Sequence, residues 1–428
     1  MNHLLPSDHK VVNSNKLQFI KEQVCRLWGL PNHFNQNPCP NPVSLERKDL
    51  DMLKKEQYMV AEKTDGVRYL LLLTMYPREL SSIGIGSKQN HHQHVYEDET
   101  LEPVAIMCNR KYDCYEIQVM AEECMFRNGC LFDGELVWQQ INTLSPKRQK
   151  LLLFDTINVQ GKCMVRKPYA ERLSVLHDLF DLPNEKDDII HNPGKWYERA
   201  HELVLKHHKI VCEGNQYALM FGTKLVKNVS QLPYIWEQRQ HLLHASDGLI
   251  LTPNNQPIGI NKQMNLFKWK SHHTMDFEWR GTFHNNSTWD HHLFFYDKQN
   301  ILVRADLYGV LFYYSDNQSN NNIDMYPYQY IPVLLCYTDY MKQILAWHTS
   351  KQHTTFCHII EVDCVLPDKS LWYNDQVPII ECRLLKIRHD KQRPNDRRTI
   401  ESCLKCMQEN ISIQELIKIV SIQQNETS

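Results

Sequence analysis

The stretch YMVAEKTDGVRYLLLLTM, Tyr58 to Met75, constrains this chain more than any other. It reads as buried β-structure: long apolar runs with no proline. Yet Lys63, Thr64, Asp65, Gly66 and Arg68 interrupt it at the middle. Lysine and arginine are among the residues least often buried without a partner. Two hydrophobic strands that meet at a lysine and an arginine must meet where cations have something to hold.

The rest of the chain sets bounds on what that could be. At 428 residues it is too long for one core and predicts two domains or three. Hydrophobic residues make up 42% and charged residues 23%, the composition of a soluble globular protein. The formal net charge of −2 excludes a polycation, so nucleic-acid binding would need a local basic patch. No apolar run approaches the ~20 residues of a membrane span, and the N-terminus lacks a signal-peptide pattern. The 14 cysteines are scattered. Only Cys403 and Cys406 form a C-x-x-C, which without partner ligands is more often packing than zinc. Reduced, buried, intracellular thiols are the expectation.

A helix is expected around LQFIKEQVCRLWGL, followed by a Pro/Asn-rich loop. Strands are expected in VAIMCNRKYDCYEIQVM (strand, tight turn, strand), CLFDGELVW, KLLLFDTINVQG, HASDGLILTP and MNLFKWK, with a helix in YAERLSVLHDLF. Beyond residue 277 the pattern is again strand-rich, then helical in TIESCLKCMQENISIQELIKIV. SSIGIGSKQNHHQHVYEDET and SDNQSNNNIDMYPYQY read as solvated loops. No repeat of fixed period is visible.

An isolated Lys–Asp pair is more often a satisfied salt bridge than an activated amine. Here it is not isolated. K-x-D-G-x-R, fitted by Lys63, Asp65, Gly66 and Arg68, would arise by chance in roughly one in two hundred chains of this length. D-G-E follows at Asp133 to Glu135, D-G-L-I at Asp247 to Ile250 and K-W-K at Lys268 to Lys270. Each is weak alone; in this order, at strand ends, they are strong together.

That order resembles the covalent nucleotidyltransferases, the superfamily of nucleic-acid ligases and mRNA capping enzymes. Within it, SHHTMDF after K-W-K is similar to the capping guanylyltransferases, and RHDKQRPN (Arg388 to Asn395) fits their R-x-D-K-x-x-P-N signature. NPVSL (Asn41 to Leu45) also looks like that family. The resemblance implies an α+β fold: a nucleotidyltransferase domain of ATP-grasp-like antiparallel sheets, then a C-terminal OB-fold β-barrel. The implied division is an extension over 1–40, the nucleotidyltransferase over 41–275, the OB-fold over 276–398 and a C-terminal helix over 399–428.

The resemblance also implies a chemistry. Lys63 would attack the α-phosphate of GTP and carry GMP as a phosphoamide to a 5′-diphosphate RNA end, forming the GpppN cap. Lys268 and Lys270, two apart on a strand, share a face; they would hold the α-phosphate and favour the neutral amine of Lys63. Arg68 and Glu135 would bind ribose, Phe154 would stack on guanine (plain core packing being the alternative), and Arg110 would contact the nucleotide. Thr64 and Lys224, with Lys227 as a rival, would read guanine O6. Asp247 would hold Mg²⁺ or Mn²⁺ or orient the lysine. Asp276 matches the acid after the lysine pair. Arg388, Asp390 and Lys391 would act on the β- and γ-phosphates when the OB-domain closes.

The implied partners are GTP, 5′-diphosphate RNA, a separate RNA triphosphatase and a cap methyltransferase, with the phosphorylated tail of RNA polymerase II a further candidate. No membrane is implied. The implied location is nuclear, or cytoplasmic for a large cytoplasmic virus. Two other readings stay open: an ATP-dependent polynucleotide ligase of the same superfamily, and a non-catalytic OB-fold RNA-binding protein.

Overall fold

The computed structural model describes residues 9–31, 34, 36–78, 101–139, 148–181, 193–212, 219–284, 288–308, 310–312, 329–336, 338–366, 379–389 and 391–426. Most of both expected polar loops lies outside these residues. The chain divides into two compact units, neither continuous in sequence. The larger holds residues 2–43, 49–269 and 416–428; the smaller holds 44–48 and 270–415.

The strands of the larger unit are β1 (Asn41–Ser44), β2 (Tyr58–Thr64), β3 (Val67–Pro77), β4 (Leu101–Asn109), β5 (Cys114–Ile117), β6 (Val119–Met120), β7 (Cys130–Gln139), β8 (Arg148–Val159), β9 (Lys162–Cys163), β10 (Val211–Cys212), β11 (Leu219–Thr223), β12 (Val226–Asn228), β13 (Ser246–Pro253) and β14 (Lys262–Lys270). The last residues of β1 and β14 belong to the smaller unit. A seven-stranded sheet runs β11-β8-β7-β3-β4-β5, with β9 on β8, and a five-stranded sheet runs β1-β14-β13-β2-β12.

The run LLLL in β3 has a physical cause. Leu71 and Leu73 pack on one side with Leu173, Leu176 and Phe180 of the helix Tyr169–Phe180. Leu70 and Leu72 pack on the other side with Ile20, Val24 and Leu27 of the helix Ser14–Trp28. A sheet covered on both faces cannot alternate apolar and polar residues, so the strand reads as continuously hydrophobic. The helix Ser14–Trp28 begins where the Asn13 side chain accepts from the backbone of Asn15 and Lys16, and ends at Gly29 with φ 78°. The expected turn of VAIMCNRKYDCYEIQVM is built by Asn109 Oδ1, which accepts from Lys111 N at 2.8 Å and Asp113 N at 2.9 Å.

The smaller unit is built on β15 (Thr274–Phe283), β16 (Trp289–Tyr296), β17 (Leu302–Arg304), β18 (Val310–Phe312), β19 (Gln329–Ile331), β20 (Val333–Leu335), β21 (Thr355–Val365) and β22 (Ile380–Ile387). Six of these form the sheet β17-β16-β15-β21-β22-β20, antiparallel except for β20 with β22. Its core includes Phe277, Trp279, Phe295, Ile360 and Ile400. The C-terminal segment, expected as one helix, is two: Arg397–Glu409 and Ile413–Glu426. Asn410 takes the left-handed conformation at φ 41° and ends the first, as an Asn at this position commonly does.

Between β2 and β3, Gly66 stands where no side chain fits. A Cβ there would lie 2.6 Å from the backbone oxygen of Leu136 and 2.9 Å from Glu135 Cγ. Backbone cannot swing aside as a side-chain end can. Gly66→Ala is expected to destabilise the chain by about 1–3 kcal/mol, the usual cost of overpacking. A fall in the thermal unfolding midpoint would check this, and an unchanged midpoint would contradict it.

Candidate active site

A cavity of about 190 Å³ opens between the two sheets of the larger unit. Its wall includes Lys63, Thr64, Arg68, Arg110, Glu135, Phe154 and Lys224, so seven of the expected site residues meet at one place. Strand pairing explains why. Arg68 on β3 and Glu135 on β7 are register partners, and adjacent partners share a face of the sheet. Lys63 is brought from β2 in the other sheet, where it is the partner of Gly248 in the D-G-L-I strand.

Phe154 reaches the cavity through an irregularity. In the β7–β8 pair, Asp133 partners Asp155 but Gly134 partners Leu153, and Phe154 falls in the gap. A β-bulge of this kind re-aims a side chain. The ring stands half-buried near two cations: Arg68 at 5.4 Å and Lys224 at 5.0 Å from its centroid. Gly134 permits the crossing, because a Cβ there would come within 2.9 Å of Leu153 Cδ2 and 3.1 Å of the Leu152 oxygen.

The cations are held in place. Arg68 donates from Nε to Asp133 Oδ1 at 2.8 Å, from Nη2 to Asp133 Oδ2, and from Nη1 to the Pro40 oxygen at 2.5 Å. Burial works against its charge, but the acidic groups around it, Asp133 first and then Cys39 and Glu135, together outweigh this and raise its pKa. For Arg110 the balance is the opposite: burial, and then the like charge of Arg68, lowers its pKa. Lys224 is 5% exposed and donates to Glu135 Oε2 at 3.2 Å, while the Gly66 amide donates to Glu135 Oε1. Lys227, the rival for guanine reading, is not on the cavity wall. Lys63 Nζ donates to Asp247 Oδ1 at 2.7 Å, both side chains partly exposed.

β14 contributes Gln263 and Leu266 to the wall. Lys268 and Lys270 lie further along, half-buried on the strand face opposite the buried Trp269, and are not part of the wall. Three wall features escaped the sequence reading: Tyr169, whose hydroxyl donates to the Phe154 oxygen at 2.9 Å, the Arg172–Asp155 fork at 2.7 and 3.1 Å, and Ile250 of β13. Burial raises the Asp155 pKa although Arg172 opposes it. Only the D-G-L-I motif hinted at any of these.

Asp276, Arg388 and Lys391 form a cluster inside the smaller unit. Arg388 Nη1 donates to Asp276 Oδ1 and to Glu361 Oε2, each at 3.1 Å, and Lys391 Nζ donates to Asp276 Oδ2. Asn395 exchanges both backbone-type bonds with Asp276: Asp276 N donates to Asn395 Oδ1 at 2.7 Å, and Asn395 N to the Asp276 oxygen at 2.8 Å. The R-x-D-K-x-x-P-N segment thus converges on one aspartate. Asp390 lies outside the described residues.

The family model for the mRNA capping enzyme, catalytic domain, matches residues 3–272. The chain belongs to this capping-enzyme family. Among its relatives, the mRNA-capping enzyme subunit alpha of Neurospora crassa is 25% identical over 415 residues, covering 93% of this chain and 87% of that one. The subunit alpha of Candida glabrata is 30% identical over 260 residues, 60% of this chain and 51% of that one. That of Saccharomyces cerevisiae is 28% identical over 279 residues, 62% and 52% respectively. The chain therefore spans about half the length of the Candida and Saccharomyces relatives. A mycobacterial DNA ligase D complexed with ATP and MES aligns over 84% of this chain and 96% of its own, at 10% identity and a TM-score of 0.33, too low to argue a shared fold.

The Arg68–Asp133 fork yields a prediction. Asp133→Leu would leave a buried guanidinium uncompensated and should cost about 3–5 kcal/mol of stability. The double variant Arg68→Met with Asp133→Leu should lose less than the single one. Denaturant unfolding of both measures this; an equal or larger loss in the double variant would mean that the fork matters by shape and not by charge.

Proposed function

We propose that this chain is an mRNA guanylyltransferase acting through a lysyl–GMP intermediate. One observation carries the reading: Lys63 stands on the wall of a cavity that also holds Phe154, Arg68 and Lys224, in a chain of the capping-enzyme family. Guanine would lie against Phe154, Lys224 would donate to O6, and Glu135 would accept from the ribose hydroxyls.

In the first step Lys63 Nζ attacks the α-phosphorus of GTP. A P–N bond forms, the bond to the bridging oxygen breaks, and pyrophosphate leaves. Nζ must shed a proton to attack, and Asp247 Oδ1 at 2.7 Å is placed to receive it. In the second step a terminal β-phosphate oxygen of 5′-diphosphate RNA attacks the same phosphorus. The P–N bond breaks, the lysine amine regains a proton and GpppN-RNA is released. Most of the catalysis in such a transfer is positioning and charge neutralisation.

Among the described residues no three His, Cys, Asp or Glu side chains are grouped to hold a metal. Mg²⁺ takes most of its ligands from phosphates and water and needs only one or two carboxylates. Asp247 fits that role for Mg²⁺ or Mn²⁺, which would neutralise charge on the phosphates.

The smaller unit is read as the OB-fold domain, on its antiparallel sheet and the R-x-D-K-x-x-P-N segment. Arg388, Asp390 and Lys391 would serve the β- and γ-phosphates, with Arg388 and Lys391 exchanging Asp276 for phosphate oxygens. Lys268 and Lys270 would meet the α-phosphate. A separate triphosphatase and methyltransferase, the phosphorylated tail of RNA polymerase II and a nuclear location complete the proposal. No described helix is long and apolar enough to cross a membrane.

Labelled GTP with Mg²⁺ should leave label on the denatured wild-type band, and Lys63→Ala should leave none. ATP should label poorly; preferential labelling by ATP would favour a polynucleotide ligase. Lys391→Ala should slow GMP loading by on the order of 10²–10³, the usual cost of losing one positioned donor. Transfer from pre-formed adduct to RNA should suffer much less, because pyrophosphate has already gone. Single-turnover kinetics separates the two steps, and equal losses in both would contradict the phosphate role.

A further inference from the structure

Beside the proposed nucleophile lies a group of buried polar side chains of which the reaction uses only Thr64. Glu62 and Thr64 flank Lys63 and, two apart on β2, share a face. Both are buried. Thr64 Oγ1 donates to Glu62 Oε1 at 3.3 Å. His244, in the turn before β13, brings Nε2 to 3.5 Å from that same oxygen. Its ring is 5% exposed, and among the described residues Nε2 has no hydrogen-bond partner, so its approach to Glu62 is one of proximity and not a bond. On the other side of the ring, Nδ1 lies 3.3 Å from Gln139 Nε2 at the end of β7.

The direction of these contacts follows from the groups in them. With the Gln139 amide turned so that its nitrogen meets the ring, His244 Nδ1 accepts and the ring proton sits on Nε2, on the side of Glu62. An ionised carboxylate only accepts, and a hydroxyl has a single proton. The Thr64 proton is thereby committed to Glu62. Toward the cavity it lines, Thr64 can offer only lone pairs. Lys224, on the same wall, can offer only donors.

Guanine presents an acceptor at O6 and a donor at N1–H. Adenine presents the reverse, an amino donor at its 6-position and an acceptor at N1. We propose that Gln139, His244 and Glu62 are positioning residues that hold the Thr64 hydroxyl as an acceptor, so that Thr64 takes the N1–H of guanine while Lys224 donates to O6. This rests on the guanylyltransferase reading and reverses the role expected of Thr64 there. Adenine would then face two mismatches, each leaving a buried polar group unpaired.

The test is a double-mutant cycle on GMP adduct formation, with kcat and KM measured separately. Glu62→Gln supplies an amide that can donate to Thr64 and so frees its hydroxyl to turn. KM for GTP should rise about tenfold, the upper range for one neutral hydrogen bond, with kcat little changed and the preference for GTP over ATP reduced. In a Thr64→Val background the same Glu62→Gln change should add almost nothing, because its effect passes through Thr64. A wild-type KM in Glu62→Gln, an additive effect in the double variant, or a loss confined to kcat would each overturn the proposal. Should Glu62→Gln fail to fold, the wild-type chain still decides: inosine triphosphate keeps O6 and N1–H and should label comparably to GTP, while N1-methyl-GTP should label far less. Equal labelling by N1-methyl-GTP would overturn the proposal. No labelling of the wild-type chain by GTP itself would overturn the guanylyltransferase reading, and this inference with it.

Discussion

The larger unit is organised around one ion pair, Arg68 with Asp133. Arg68 enters the cavity wall from β3, and the Asp133 carboxylate of the neighbouring β7 grips it with two bonds. A buried guanidinium is tolerable only with such a partner. Its third contact, to the Pro40 oxygen, fixes the segment leading into β1, so that Pro40 and Pro42 become part of the wall. Its plane also sits over Phe154. Strand pairing, the approach of the N-terminal segment and the placement of the aromatic ring therefore share one electrostatic constraint. A sealed core would gain nothing from this arrangement; a cavity that receives a polyanionic nucleotide would.

The smaller unit repeats the logic with the signs exchanged. There a buried carboxylate, Asp276, collects Arg388 and Lys391, while its backbone N–H and oxygen bond the Oδ1 and backbone N–H of Asn395. These partners come from a segment far along the chain, with Arg388 separated from Asp276 by 112 positions. The motif R-x-D-K-x-x-P-N thus has a structural reason apart from any ligand. It docks the end of β22 and the chain before the helix Arg397–Glu409 onto the start of β15. Cations that are already paired do not scatter as free side chains would, and a phosphate that displaced the aspartate would meet donors in place.

Much of this was legible in the sequence, for identifiable reasons. Apolar runs bounded by turn residues located β3, β4, β5, β7, β8, β13 and β14, and the helical spacing of YAERLSVLHDLF located its helix. Motif order singled out Lys63, Arg68 and Glu135, which share one cavity wall. What stayed hidden depends on register and on long-range pairing. Phe154 could have been core or cavity; the bulge that decides it is a slip of one residue between β7 and β8, and nothing local in LLFDTI announces it. Asp133 looked like one more letter of D-G-E and proved to be the clamp on Arg68. Glu62 drew no notice beside the lysine, because its neighbour His244 lies in a turn much later in the chain. The break at Asn410 was missed because helical periodicity resumes after it.

The account stands or falls on which atom carries the nucleotide. The direct measurement is mass spectrometry of the wild-type chain after incubation with GTP and Mg²⁺, digested under conditions that preserve phosphoamides. GMP is predicted on the peptide containing Lys63 and on no other. An unmodified Lys63 with GMP on Lys224, Lys268 or Lys270 would contradict it, because the cavity would then have been assigned the wrong nucleophile.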